Sequence, residues 1–145
     1  MTEMRTKPHY HVVAAVVVAC GRCLCVRKGT TRYAYTTGRW EFPGGKIEQG
    51  ETARQALARE LMEEMSLHVS VGEHLTTVTH HYPDFSITLE AYACTPLDAD
   101  FALTEHTESR WVEPERLMEL EWCAADVEIA REAQKRLESD CQIKK

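Results

Sequence analysis

The chain has 145 residues, 43% of them hydrophobic and 28% charged, with a formal net charge of −6. That length suits a single domain over residues 1–145, able to bury a core without staples, with frayed tails expected at 1–8 and 139–145. The acidic balance argues against a hold on a nucleic acid polymer, which needs a basic face, but leaves room for a nucleotide.

Residues 12–20 form a valine-rich run that is too short and too β-branched for a membrane span. The basic Met1–Tyr10 ahead of it raises the possibility of a signal peptide. No small-residue cleavage site follows, so a cytoplasmic location is expected. Residues 10–20 read as a buried strand, Gly21 and Arg22 as a turn, and Cys23–Arg27 as the returning strand of a hairpin. Six cysteines fit that compartment as free thiols. Cys20 and Cys23 have a CxxC spacing that admits a zinc or redox reading. However, Cys94, Cys123 and Cys141 are single and supply no second pair, so small buried hydrophobes are expected.

Lys28–Arg39 is a polar loop. Trp40–Phe42 is a short strand before Pro43, Gly44 and Gly45, which read as a turn bringing backbone close to something. A helix is predicted from Thr52 to Met65. Residues 68–80 and 85–95 alternate as strands joined at Tyr82, Pro83 and Asp84. Residues 96–107 read as loop and Ser109–Val112 as a short strand. Glu113–Leu120 reads as a short helix with Pro114 near its start, and Ala124–Leu137 as an amphipathic helix. A mixed sheet with a helix before and after it makes the class α/β or α+β.

The densest chemistry lies on the first helix. At about 100° per residue, Glu60, Glu63 and Glu64 share an arc of roughly 100°. Leu57, Leu61, Met65, Ala58 and Met62 lie on the neighbouring arc, which is expected to face a core. Glu60 and Glu64 are like charges at i, i+4, costing about 0.2–0.5 kcal/mol. No lysine or arginine follows four residues later to relieve them. A hard divalent cation would, since magnesium takes oxygen ligands from a few carboxylates plus substrate phosphates. The alternative is a solvated acidic face.

Gly45, Glu51, Arg59, Glu60, Leu61, Glu63 and Glu64 match the spacing GX5EX7REUXEE, and the chain resembles the Nudix hydrolases through it. One position departs from the pattern: Ser66 stands where the family has glycine. That glycine favours φ > 0 at the helix end, which serine tolerates less well, so a local difference is expected there. Trp40–Lys46, Tyr82–Leu89, Glu105 six residues before Trp111, and Ala124–Asp126 resemble the MutT branch. These markers span most of residues 10–137.

The resemblance implies an α/β/α sandwich with the box as a loop–helix–loop. It also implies magnesium, or manganese in its place, and cleavage of nucleoside triphosphates to monophosphate and pyrophosphate. The metal ligands it implies are the Gly44 carbonyl, Glu60, Glu63, Glu64 and Glu105, with Glu60 or Glu105 as general base. Arg59 and Glu51 match a charged pair that holds the box together. Arg27 and Lys46 are candidate phosphate contacts. Asp126 sits where MutT-type enzymes read the base, and Phe85 or Tyr82 could stack on it. Blander readings stand beside these. Glu105 is an ordinary loop acid, with Glu108 as its rival, and Arg27 is a solvated strand end. Lys46 is an exposed side chain, Asp126 a helix cap, and Phe85 core packing. Glu41 reads as structural. The substrates expected are CTP or modified dCTP, or 8-oxo-dGTP. ADP-ribose or dinucleoside polyphosphates are the alternative, and a non-catalytic nucleotide sensor a further one. The chain could be a monomer or a homodimer.

Overall fold

A computed structural model describes residues 7–97 and 108–143. Its strands are β1 (His9–Ala19), β2 (Arg22–Arg27), β3 (Trp40–Glu41), β4 (Gly44–Lys46), β5 (Val69–His81), β6 (Ser86–Pro96) and β7 (Glu108–Val112). Its helices are α1 (Ala53–Met65) and α2 (Val127–Ile143), with 3-10 turns at Pro114–Glu119 and Ala124–Asp126.

β1 is the axis of the mixed sheet. It pairs parallel with β6 along one edge, from His9↔Ser86 to Val17↔Cys94. On the other edge it pairs antiparallel first with β4 and then with β2. β5 continues the sheet beyond β6, and β2 carries β3 and β7. Both faces of β1 are buried, which explains its unbroken valine run. Val13, Ala15 and Val17 pack with Leu57, Leu61 and Met65 of α1, whereas Ala58 and Met62, at the margin of that arc, are exposed instead of facing the core. Ala14 and Val16 join the opposite core with Ile129, Ala130, Ala133 and Leu137 of α2. The result is the expected sandwich of helix, sheet and helix.

Several boundaries moved for physical reasons. The first hairpin turns at Cys20 and Gly21, both at positive φ, with Ala19 opposite Arg22. This is the backbone that a two-residue loop between right-twisted strands needs, so the turn begins one residue earlier than composition suggested. Gly44 and Gly45 form a strand rather than a turn. The helix expected at Glu113–Leu120 is a 3-10 turn from Pro114 to Glu119. α2 continues to Ile143, through residues expected to fray.

α1 starts at a capping box, with Gln55 N donating to Thr52 Oγ1 at 3.1 Å and Thr52 N to Gln55 Oε1 at 2.9 Å. It ends at Ser66, which takes the left-handed conformation itself, φ 52° and ψ 33°, with its N–H turned to Leu61 and Met62 carbonyls. The serine therefore adopts the backbone that a glycine would supply. An L-residue there carries about 1 kcal/mol of strain. Ser66→Gly is therefore expected to raise the melting temperature by about 2–5 °C, measured by thermal denaturation; a lower melting temperature would contradict this account.

Candidate functional site

The box carboxylates are organised by one guanidinium. Arg59 Nε donates to Glu51 Oε2 at 2.6 Å and Nη2 to Glu51 Oε1 at 2.9 Å, a two-pronged pair. Nη2 also donates to the Lys46 carbonyl at 3.2 Å, and Nη1 to Glu60 Oε1 at 3.0 Å and Glu63 Oε2 at 3.2 Å. The pair expected between Arg59 and Glu51 is thus present. The repulsion expected between the helix carboxylates is relieved from the N-terminal side, because Arg59 lies four residues before Glu63. The Arg59 hydrogen bonds, with the Glu48 backbone second, hold the Glu51 carboxyl below the usual carboxylate range.

The two glycines of β4 let this cluster approach the sheet. A Cβ on Gly45 would run into the Glu60 carboxylate, and a Cβ on Gly44 into the Val13 backbone. The candidate metal donors are hard oxygens: the carboxylates of Glu60, Glu63 and Glu64 and the Gly44 carbonyl. This set suits magnesium or manganese. Among the described residues no three His, Cys, Asp or Glu side chains converge into a ready metal cluster; Glu60 and Glu63 turn to Arg59 instead. CxxC is no exception: Cys20 is exposed while Cys23 and Cys25 are buried.

Beside the box lies a cavity of about 540 Å³. Glu64, Gly44, Gly45 and Lys46 form one end of its lining, and Asp126, Phe42 and Cys123 another part. Asp126 is brought there by backbone pairing: Trp40 N donates to the Glu121 carbonyl and Cys123 N to the Trp40 carbonyl, both at 2.8 Å. The next turn swings Asp126 beneath β3, where its Oδ2 accepts from Phe42 N at 3.0 Å. The residue expected either to cap a helix or to face a ligand is therefore 4% exposed, on the cavity wall. Burial, and after it the Glu41 charge, push its pKa up to about 8, while the Phe42 N–H and Lys28 act in the opposite direction. Lys28 Nζ lies 3.4 Å from Glu41 Oε1.

An aromatic wall closes another side. Tyr10, Tyr33, Tyr82 and Phe85 line the cavity. Tyr82 is anchored by accepting from Ala125 N at 3.0 Å, next to Asp126. Lys46 Nζ sits 4.4 Å over the Tyr10 ring.

Of the residues singled out from sequence, Gly44, Lys46, Glu64, Phe85 and Asp126 line the cavity, while Glu51, Arg59, Glu60 and Glu63 gather behind it on α1 and its approach. Arg27 is not brought there: its Nε donates to the Gly38 carbonyl at 2.9 Å. Glu105 lies outside the described residues, and Glu108 opens β7 opposite Arg27. Lys28, Arg32 and Tyr33, which also line the cavity, were missed. Their signal is the Tyr33-Ala34-Tyr35 pair of aromatics inside an otherwise polar loop.

Comparison with known proteins agrees with this architecture. A model of the NUDIX domain family matches residues 12–132. The CTP pyrophosphohydrolase of Escherichia coli K12 is 32% identical over 130 residues, covering 81% of this chain and 86% of that protein. The 8-oxo-dGTP diphosphatase of Proteus vulgaris is 38% identical over 92 residues, covering 63% and 81%. The solution structure of DNA mismatch repair protein MutT, a Nudix-family hydrolase from methicillin-resistant Staphylococcus aureus 252, superposes with a TM-score of 0.70 at 32% identity, over 90% of this chain and 99% of that one.

The two glycines should separate function from stability. Gly45→Ala displaces only the end of the Glu60 side chain, so turnover should fall at least about 10-fold with a melting temperature near wild type. Gly44→Ala pushes into β1 backbone and should cost about 2–4 kcal/mol of stability. Denaturant unfolding and steady-state rates on both variants check this; equal effects on stability would contradict it.

Proposed function

The chain belongs to the Nudix family, and from that premise we propose that it hydrolyses nucleoside triphosphates to a monophosphate and pyrophosphate, with a divalent cation, preferring cytosine as the base. Buried Asp126 on the wall of the cavity carries the reading. In its protonated form one carboxyl oxygen accepts from the exocyclic amine of cytosine and the hydroxyl donates to ring N3. Lys28 is within the same lining to donate to the ring carbonyl. Phe85 and Tyr33 offer ring faces for stacking. The E. coli relative named CTP pyrophosphohydrolase, matched over most of both chains, supports the same base.

Glu60, Glu63, Glu64 and the Gly44 carbonyl, with Glu105, are the residues that would hold the cation. A bound cation would neutralise phosphate charge and make a nearby water more acidic. Arg59 fixes Glu60 and Glu63 on α1 and ties them to the Lys46 carbonyl. Lys46 offers a cationic group to the phosphates from the lining. The Glu60 carboxylate, or that of Glu105, takes the proton of the attacking water. Arg27 remains a candidate phosphate contact only through a movement away from Gly38.

A second reading is hydrolysis of 8-oxo-dGTP, favoured by the Proteus vulgaris relative. The Watson–Crick edge of a guanine offers N–H donors at N1 and N2, which suit an ionised Asp126.

Hydrolysis with magnesium should be measured across CTP, dCTP, 5-methyl-dCTP, dGTP, 8-oxo-dGTP, ADP-ribose and diadenosine polyphosphates, reading pyrophosphate from the triphosphates and the nucleotide products from the others. Cytidine nucleotides should lead, and Glu64→Gln should lose turnover by orders of magnitude while remaining folded. Cleavage of ADP-ribose or a dinucleotide with no triphosphate cleaved would overturn the substrate class.

The pH dependence follows from Asp126, faced by Glu41, Lys28, Cys123 and Tyr82. kcat/KM for CTP should fall as pH rises through about 8 and Asp126 ionises. Asp126→Asn keeps one acceptor and one donor and should flatten that limb; Asp126→Ala should reduce discrimination among bases. Stability carries a second signature. The unfolded carboxyl ionises near about pH 4, while the folded one keeps its proton to about 8. Between these values the folded state binds more protons, so this group lowers stability as pH rises. Asp126→Asn should therefore gain stability relative to wild type from pH 4 to pH 8. A constant difference across that range would remove the buried acid from the account.

A further inference from the structure

The loop between β2 and β3, residues 28–39, forms part of the cavity wall and is built to hold its shape. Thr31 Oγ1 donates to the Tyr33 carbonyl at 2.8 Å and bonds the hydroxyls of Thr36 at 2.6 Å and Thr37 at 3.0 Å. Thr36 N and Thr37 N both turn to the same Tyr33 carbonyl at 3.1 Å. These three donors to the Tyr33 carbonyl hold the backbone that carries the Tyr33 ring.

The loop meets the β5–β6 turn through a ladder of rings. Tyr33 stacks on Tyr35 with centroids 5.2 Å apart, and Tyr35 stacks on Tyr82 at 5.2 Å. Tyr33 also approaches Phe85 at 5.4 Å, and Phe85 approaches Tyr82 at 4.9 Å. One polar contact closes the ladder: Tyr35 Oη donates to Asp84 Oδ2 at 2.7 Å. Burial and the Asp84 carboxylate push the Tyr35 hydroxyl up to about 12, so it stays a donor across any working pH. Tyr33, Tyr82 and Phe85 line the cavity, whereas Tyr35 and Asp84 stand outside it. They touch the wall and not its contents.

We propose that Tyr35 and Asp84 form a latch that holds the 28–39 loop against the β5–β6 turn and so sets the aromatic wall, Tyr33 against Phe85, on which the nucleobase rests. The inference rests on the reading of the cavity as a nucleotide site. Tyr35 is a positioning residue, acting through Tyr33 and Tyr82. The latch has a second reach, because Tyr82, on which Tyr35 stacks, is tied to Ala125 beside Asp126. The stacking wall and the base-reading floor are thereby joined by one run of contacts, while the box carboxylates on α1 are attached elsewhere. Loosening the latch should weaken base binding and spare phosphate chemistry.

Tyr35→Phe keeps the ring and its stacking and removes only the hydroxyl. For the preferred triphosphate it should raise KM about 3–10-fold, the size of one lost hydrogen bond, with kcat within about twofold. Asp84→Ala should do the same, and the double variant should be no worse than either single change. Asp84→Asn keeps an acceptor oxygen and should restore KM. Inhibition by inorganic pyrophosphate, which carries no base, should be unchanged in every variant. The dissociation constants of the nucleoside monophosphates, measured by calorimetry, should follow KM. They test the latch even if the wild type cleaves no triphosphate, a result that would overturn the proposed reaction alone. An unchanged KM in Tyr35→Phe, additive effects in the double variant, or an equal loss of pyrophosphate affinity would each overturn the latch. Wild-type protein that binds no nucleoside monophosphate would overturn the latch and the nucleotide reading together.

Discussion

The site depends on a single guanidinium. Arg59 reaches Glu51 with two prongs and Glu60 and Glu63 with a third nitrogen, and it lies 3.7 Å from Glu48. Without it, acids crowded at the start of the box and along one face of α1 would repel one another. With it, the same acids are tied to the exit of β4 through the Lys46 carbonyl. A lysine could not serve, because its ammonium is a compact charge while the guanidinium offers a planar fork of five donors. The arrangement still leaves more negative than positive charge beside Gly44 and Gly45. That excess is what a cation, and through it a polyphosphate, can neutralise.

The glycines of β4 translate this electrostatic hub into position. Pairing of β4 with β1 is antiparallel, with Val13 opposite Gly45 and Ala14 opposite Gly44. Side chains at those two positions would collide with the sheet backbone and with Glu60. The sheet, α1 and the cavity therefore meet at residues that have no side chain. A local requirement for close approach, not for a turn, accounts for the paired glycines.

That distinction shows what could be read in the chain beforehand. The box was legible because helical period and fixed spacing constrain many positions at once; the Arg59–Glu51 pair that the resemblance implied is present, whereas the bonds from Arg59 to Glu60 and Glu63 were not foreseen. The buried β1 was legible from its valines. For Gly44 and Gly45 the close approach was legible but the strand was not, since glycine marks both turns and close approaches and only the neighbouring strand decides between them. Cys20 at positive φ was hidden for a related reason: the tight hairpin imposes a backbone that cysteine does not announce. Lys28 and Tyr33 come from a loop whose side chains follow no period, so nothing in their spacing said they would face a cavity. Asp126 was read in two ways because a cap and a cavity acid look alike until the Trp40–Cys123 pairing fixes where that turn lies.

The two regions of the site then use one functional group in opposite ways. Near the box, carboxylates sit beside Arg59 and Glu51 is held below the usual carboxylate range. On the cavity wall, burial leaves Asp126 protonated up to about pH 8. Environments that push like groups apart can divide their labour: on the proposed reading, the charged carboxylates serve the phosphates and the neutral, hydrogen-bonding one serves a heterocycle. Lys28 sets how far that division goes. Its ammonium is opposed by burial, but Glu41, Cys123 and Asp126 more than offset this, and its pKa is raised. Paired with Glu41 and close to Asp126, it draws the Asp126 pKa downwards against the push of burial. Without it only the Phe42 N–H would act against burial and the Glu41 charge, and the carboxyl would hold its proton still more tightly. The Phe42 N–H and the cation beside Glu41 together keep the buried acid within reach of a change in protonation, and on the proposed reading its choice between donating and accepting would decide which base it reads.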